Sequence, residues 1–228
     1  MNNLLLLHGA IGSVKQFSPL VKILQEDYKV YAIDFAGHGG SEIPDAPFSI
    51  NMFAEDVLKW MELKEFETID IFGYSMGGYV GLYLARKYPD RVGRVFTLAT
   101  KFSWHEETAK MEAGLLNPDK LEEKMPAFAE ELAHRHSPAD WKLVLRKTAD
   151  MMIDLGHNNI LKDGDFARIE NEVLIGVGDR DKMVCLEETI HVYRKLQNGS
   201  LIVFPDTPHP FEKVSIQRLS EEIKSFFK

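Results

Sequence analysis

Short apolar runs alternate with amphipathic stretches along most of the chain. The runs at residues 4–8, 29–34, 68–74, 94–99, 172–177 and 200–204 are apolar, and each is followed by glycine, proline or a polar turn. They read as strands. Apolar residues at helical spacing fall between them, at 14–25, 54–62, 76–88, 186–197 and 214–227. Strand and helix in regular alternation predict an α/β fold, a mostly parallel central sheet flanked by helices.

Residues 101–166 break this rhythm. They are rich in Met, Glu, Lys and His, have helical periods, and contain no convincing strand. An inserted helical cap is expected there, dividing a core made of residues 1–100 and 167–228. Its apolar side would be built from residues such as Trp104, Met111, Leu115, Met125, Phe128 and Met152. Most of these are expected to pack the insertion onto the core, and a minority to line a pocket.

Composition narrows the function classes. A formal charge of -8 and the lack of a basic patch argue against a nucleic-acid backbone as partner. Cys185 is the only cysteine, so an intrachain disulfide and a thiolate metal cage are both excluded. It is expected as a buried, inert thiol, since no basic partner stands near it in sequence. The opening "MNNLLLLHGA" lacks a basic leader region and reads as a strand rather than a signal peptide. No apolar stretch approaches the ~20 residues that span a bilayer, and a cytoplasmic, membrane-free protein is expected.

The chemistry concentrates in "IDIFGYSMGGYVG". Gly73-Tyr74-Ser75-Met76-Gly77 has the G-x-S-x-G form and lies between a predicted strand and a predicted helix, the context in which a sharp turn exposes a serine hydroxyl. Side chains at Gly73 and Gly77 would collide with such a turn, and a strained backbone is expected at Ser75. Serine alone is a poor nucleophile and needs a base held by an acid. Two later strands end in "GVGDRDKMV" and "FPDTPHPFEK", and parallel strands bring both loops to the edge that carries Ser75. The chain order is serine, acid, histidine.

That order, with "LLLLHGA", "DFAGHGGS", the serine turn and the paired "GDRD" and "PHPFE" loops, resembles the α/β-hydrolase superfamily over nearly the whole chain. The match begins at the strand before His8-Gly9, so a sheet lacking the family's first two strands is expected. The resemblance implies Ser75 as nucleophile, His209 as base and Asp181, third after Gly178, as the acid. Asp179 is the alternative, with the unused carboxylate capping or pairing with Arg180. It further implies an oxyanion hole from the backbone amides of Ala10 and Met76. Tyr79, Phe102, Trp104 and Phe211 are expected to contact substrate, and no cofactor is required.

The implied activity is a cofactor-independent serine hydrolase acting on a small, moderately apolar ester. Menaquinone-pathway synthases of the same superfamily have a similar serine turn, but with arginine directly after the Gly-Gly pair, where this chain has Tyr79. Carbon–carbon bond hydrolysis and a ligand-binding receptor with a retained triad, as in the plant strigolactone receptors, are the other readings. Oligomeric state is not encoded in any motif. His8 and His38 are expected to make structural hydrogen bonds, and His105 to start a solvated helix. His134 and His136, two residues apart, point to different helix faces and suggest no metal. The glycines do not form a dinucleotide fingerprint.

Overall fold

A computed structural model describes residues 1–228. In chain order the elements are β1 (Asn2–Leu7), α1 (Ser18–Leu24), β2 (Tyr28–Ile33), α2 (Ile50–Leu63), β3 (Ile69–Tyr74), α3 (Met76–Lys87) and β4 (Val92–Leu98). Five helices follow: α4 (Glu106–Leu115), α5 (Pro118–Lys124), α6 (Pro126–His136), α7 (Trp141–His157) and α8 (Asp163–Phe166). The chain closes with β5 (Val173–Gly178), α9 (Leu186–Tyr193), β6 (Gly199–Phe204) and α10 (Ile216–Phe226).

The strands form one sheet in the order β2-β1-β3-β4-β5-β6, and every neighbouring pair is parallel. Its strands are apolar on both faces because both faces are covered. β1 illustrates the period of two: Leu5 and Leu7 enter the core under α2, α3 and α9, while Leu4 and Leu6 enter the core under α1 and α10. β3 divides the same way, with Ile69 and Ile71 on the first side and Phe72 and Tyr74 on the second. All six strands therefore end at one edge, which receives the loops after β1, β3, β5 and β6.

Local chemistry moved several boundaries. α2 starts at Ile50 rather than 54 because the Ser49 side chain accepts the Met52 amide at 3.1 Å and caps the helix. The helix expected over 14–25 is a 3-10 turn, Val14–Phe17, followed by α1, with Pro19 in the first helical turn. α9 stops at Tyr193, four residues early. Cys185 precedes α9 and is exposed, contrary to the buried thiol expected. Residues 106–157 hold four helices joined by short turns and no strand, and α4 packs against α7. No helix is long and apolar enough to cross a membrane.

Candidate active site

Ser75 sits between β3 and α3 with φ 51° and ψ -117°, a conformation that costs a non-glycine residue about 1–3 kcal/mol. The surroundings hold it there. Its amide donates to the Leu98 carbonyl at 2.8 Å, and the Thr100 hydroxyl donates to its carbonyl at 2.9 Å. The glycines make room for the turn. A Cβ on Gly73 would meet the Gly77 and Gly78 backbone, one on Gly77 would land on the Leu7 carbonyl, and one on Gly78 would strike the Thr100 hydroxyl.

His209, from the loop after β6, places Nε2 3.3 Å from Ser75 Oγ. Its Nδ1 lies 2.7 Å from Asp181 Oδ2, in the loop after β5. The other oxygen of Asp181 accepts the Met183 and Val184 amides, each at 2.8 Å, so a carboxylate with no exposed side-chain surface is fully hydrogen-bonded. Asp179 faces elsewhere. Its Oδ1 accepts the Thr207 amide at 3.3 Å and lies 4.0 Å from Arg180 Nε, joining the two loops without reaching the imidazole. Tyr74 fixes the histidine from below, donating to the His209 carbonyl at 2.7 Å. Burial pushes the Tyr74 phenol upward, so it stays a neutral donor.

The loop after β1 passes beside Ser75. His8 donates from Nδ1 to the Gly9 carbonyl at 2.8 Å and accepts the Phe35 amide on Nε2 at 3.2 Å, which requires a neutral ring. Burial accordingly depresses its pKa to about 4. His136 of α6 does the same job from the other side. It donates to the Ile11 carbonyl at 3.1 Å, accepts the Gly39 amide at 3.2 Å, and is also held down to about 4 by burial. His38 lies between these rings, and burial and the neighbouring His8 depress it as well. With both nitrogens occupied, His136 has no lone pair for a metal, and His134 is on the exposed side of α6. His105 caps α4 and is exposed.

These braces set the amide of Ala10, which meets no acceptor in the protein. Met76 is the first residue of α3, so its N–H precedes the intrahelical ladder. Both residues line a cleft of about 30 Å³ with Ser75. A larger cavity of about 530 Å³ opens beside it, lined by Ala10, Ser75 and His209 from the sheet edge. The opposite wall is helical: Leu115, Leu116, Met125, Phe128 and Met152 face the same space. Trp104 and Met151 line the smaller cleft. Met151 and Trp104 pack into the core cluster as expected and also border the cleft, and Met152 is buried, whereas Leu115 and Met125 are mostly exposed at the cavity.

Two of the expected pocket walls are elsewhere. Phe211 is buried behind the serine turn, edge-on to Phe17 and Tyr74. Phe102 packs on Phe166 and borders a separate cavity of about 590 Å³ that does not contain Ser75. Tyr79 and Trp104 do border the cleft. The Tyr79 hydroxyl is already committed, donating to Asn159 Oδ1 at 2.5 Å and accepting the Leu161 amide at 3.0 Å, so it ties α3 to the segment after α7.

Three charged residues escaped the sequence reading. Lys101 borders the cleft, donates to the Met183 carbonyl at 2.8 Å and lies 3.7 Å from Glu188, whose carboxyl burial pushes up to about 7. Arg135 lines the larger cavity but is engaged by the Ile11 carbonyl, Glu131 and Glu212. Glu112 lines it too, only 5% exposed, and burial raises its carboxyl against the pull of Lys101 and His209. Glu112 lies one turn after the fully buried Ala109 on α4, and nothing in the sequence around it marks it as inward-facing.

Comparison with known proteins agrees with this architecture. A 2-(acetamidomethylene)succinate hydrolase of Mesorhizobium japonicum is 24% identical over 98% of this chain and 87% of its own length. A pimeloyl-[acyl-carrier protein] methyl ester esterase of Neisseria meningitidis is 28% identical over 90% of this chain and 86% of its own. The crystal structure of a hydrolase from Pseudomonas aeruginosa superposes with a TM-score of 0.80 at 22% identity, covering 99% of this chain and 89% of that one. Residues 2–140 match the family described as alpha/beta hydrolase fold. On that match, and on a six-stranded parallel sheet with a serine turn at its edge, the chain belongs to the alpha/beta hydrolase family.

Proposed function

We propose that the protein is a serine hydrolase that cleaves small to medium, moderately apolar carboxylic esters through an acyl-enzyme. The observation that carries the reading is the contact chain Ser75 Oγ to His209 Nε2 at 3.3 Å and His209 Nδ1 to Asp181 Oδ2 at 2.7 Å, beside a cavity of about 530 Å³. His209 takes the Ser75 proton as Oγ attacks the ester carbonyl, and returns it to the departing alcohol. Water then enters and attacks the acyl carbonyl as His209 takes its proton, and His209 returns that proton to Ser75 Oγ as the acyl group leaves as a carboxylic acid. Asp181 keeps Nδ1 protonated and steadies the imidazolium that forms in each half-reaction. The Ala10 and Met76 amides receive the negative charge on the former carbonyl oxygen, each such donor being worth roughly 3–4 kcal/mol in the transition state. Residues 101–166 serve as a cap that sets which acyl and alcohol groups fit.

The relatives named above include an ester hydrolase, which is consistent with this chemistry. Tyr79 favours hydrolysis over the anion-binding synthase reading. It stands where that reading calls for a free arginine, and its hydroxyl is held by Asn159 and Leu161.

Fluorophosphonate labelling tests the proposal. The native protein is expected to label at Ser75, and Ser75→Ala to remain unlabelled. Absence of labelling in the native protein, or equal labelling of the variant, would sink it. Turnover of carboxylated diketones with none on aryl esters would transfer the same three residues to carbon–carbon cleavage. A single stoichiometric event in place of repeated turnover, where enzymes typically reach about 10 per second, would make it a receptor.

A further inference from the structure

Glu112 is a carboxylate in a place that the fold does not explain. It follows Ala109 by one turn on the inward face of α4, where Ala109 is fully buried and Glu112 is 5% exposed. An apolar residue would satisfy that position, and an acid there loses most of its hydration. Within the protein it makes no hydrogen bond and no ion pair. What little surface it keeps belongs to a residue lining the same cavity as Ser75 and His209.

The other charges around this space are occupied or peripheral. Arg135 is taken up by the Ile11 carbonyl, Glu131 and Glu212. Lys101 is held by the Met183 carbonyl and Glu188. Lys213 is at the exposed edge of the cavity. Lys101 and His209 act on the Glu112 carboxyl only through space, and no cation touches it, while Leu115, Leu116, Phe128 and Met152 supply apolar wall to the same cavity. A ligand that complements both features has an apolar body and one cationic group.

We propose that Glu112 is a specificity-determining residue that receives an ammonium group of the substrate, so that the preferred esters carry a protonated amine beside an apolar chain. The inference rests on the hydrolase reading, because it names the substrate class of the site around Ser75. In the bound state the ammonium donates to the Glu112 carboxylate while the ester carbonyl lies at Ser75, and the hydrocarbon part meets the leucine and methionine wall.

The test compares leucine ethyl ester with 4-methylpentanoic acid ethyl ester, which differ only in the amino group. The amine also changes intrinsic reactivity, so the quantity read is the ratio of the two kcat/KM values in the native protein against the same ratio in Glu112→Gln. That ratio is expected to fall by at least about fivefold, chiefly through KM, as a charge-assisted contact is lost, and Glu112→Asp is expected to recover part of it. A smaller fall, no change or a rise overturns the assignment.

A measurement on native protein alone covers the case in which the variants do not fold. Hexylammonium is expected to slow fluorophosphonate labelling of Ser75 more strongly than hexanol does, and equal or better protection by hexanol overturns the inference. If the native protein does not label at all, the hydrolase reading itself fails and this inference falls with it.

Discussion

Ser75 and Glu112 line one cavity from two different kinds of wall. The serine's wall is a sheet edge in which the backbone is constrained from several sides at once. Three glycines permit the turn, Leu98 and Thr100 bind the Ser75 peptide groups, and neutral histidines brace the adjoining loop. The opposing wall is made of helices that present Leu115 and Met125 at 66% and 52% exposure. Few of its cavity-facing residues are fixed by hydrogen bonds. A change on the first wall disturbs reacting geometry, whereas a change on the second alters what fits beside it. Specificity on such a scaffold resides in the less constrained wall.

Asp181→Asn gives the largest expected effect and tests the first wall directly. Asparagine keeps the size of the side chain but offers its amide or its carbonyl to His209 Nδ1 without a charge, which disfavours the reactive tautomer. We expect kcat on an aryl ester to fall by about 10⁴, with KM changed much less. Asp179→Asn, which keeps an Oδ1 to accept the Thr207 amide and loses only its charge beside Arg180, should keep kcat within about tenfold of native. Equal losses in both variants would remove Asp181 from the proposed triad.

His136 connects the two walls, since it projects from α6 yet binds Ile11 and Gly39 of the core. Its pKa is depressed from 6.5 to about 4 by burial. Above pH 6.5 the ring is neutral in the folded and unfolded chains alike. As pH falls below that, the unfolded chain takes up a proton that the folded one refuses, so stability is lost between pH 6.5 and about 4. The loss attributable to this ring is about 1.4 kcal/mol at pH 5.5 and about 3 kcal/mol at pH 4. Glu188 works in the opposite sense, because its raised carboxyl takes up a proton in the folded state first. Urea midpoints of native protein and His136→Gln at pH 7, 5.5 and 4.5 separate the two, as Glu188 is common to both. The variant should be the less stable at pH 7, and the gap should narrow with acidification. A pH-independent gap would mean that His136 titrates alike in both states.

The two walls also differed in how far the sequence disclosed them. All six strands and the order serine, acid, histidine were readable because short continuous apolar runs, glycine sterics and parallel strand direction are each determined locally. The glycine pattern pointed to Ser75 and the strand direction to the two later loops, whereas the roles of Asp181, His209, Ala10 and Met76 were implied by the resemblance to the α/β-hydrolase superfamily; all five lie at one sheet edge. Phe102 and Phe211 were misplaced because adjacency to a strand end or to His209 does not say which way a side chain turns. Glu112 sits in "AKMEAGL", among other charges, and reads as a solvated face until α4 is docked on α7. Tyr79 was singled out for what it is not, an arginine, and its actual partners lie 80 and 82 residues away in sequence. Information of that kind arises only from packing.

The smallest effect gives the sharpest test of the division between walls. Leu115 and Met125 line the cavity but are mostly in solvent, so Leu115→Ser and Met125→Ser should shift unfolding free energy by no more than about 0.5 kcal/mol each. They leave the serine turn and its hydrogen bonds untouched, and the rate of Ser75 labelling by a small fluorophosphonate should stay within about twofold of native. An acyl chain long enough to cross the cavity would lose one or two methylene contacts, each worth up to about 0.8 kcal/mol. For an eight-carbon acyl ester kcat/KM should therefore drop about threefold relative to a four-carbon one. A common drop for both esters would mean that these residues support the reacting groups rather than the chain. In that case the helical wall would share in positioning, and the contrast between the walls would be one of degree.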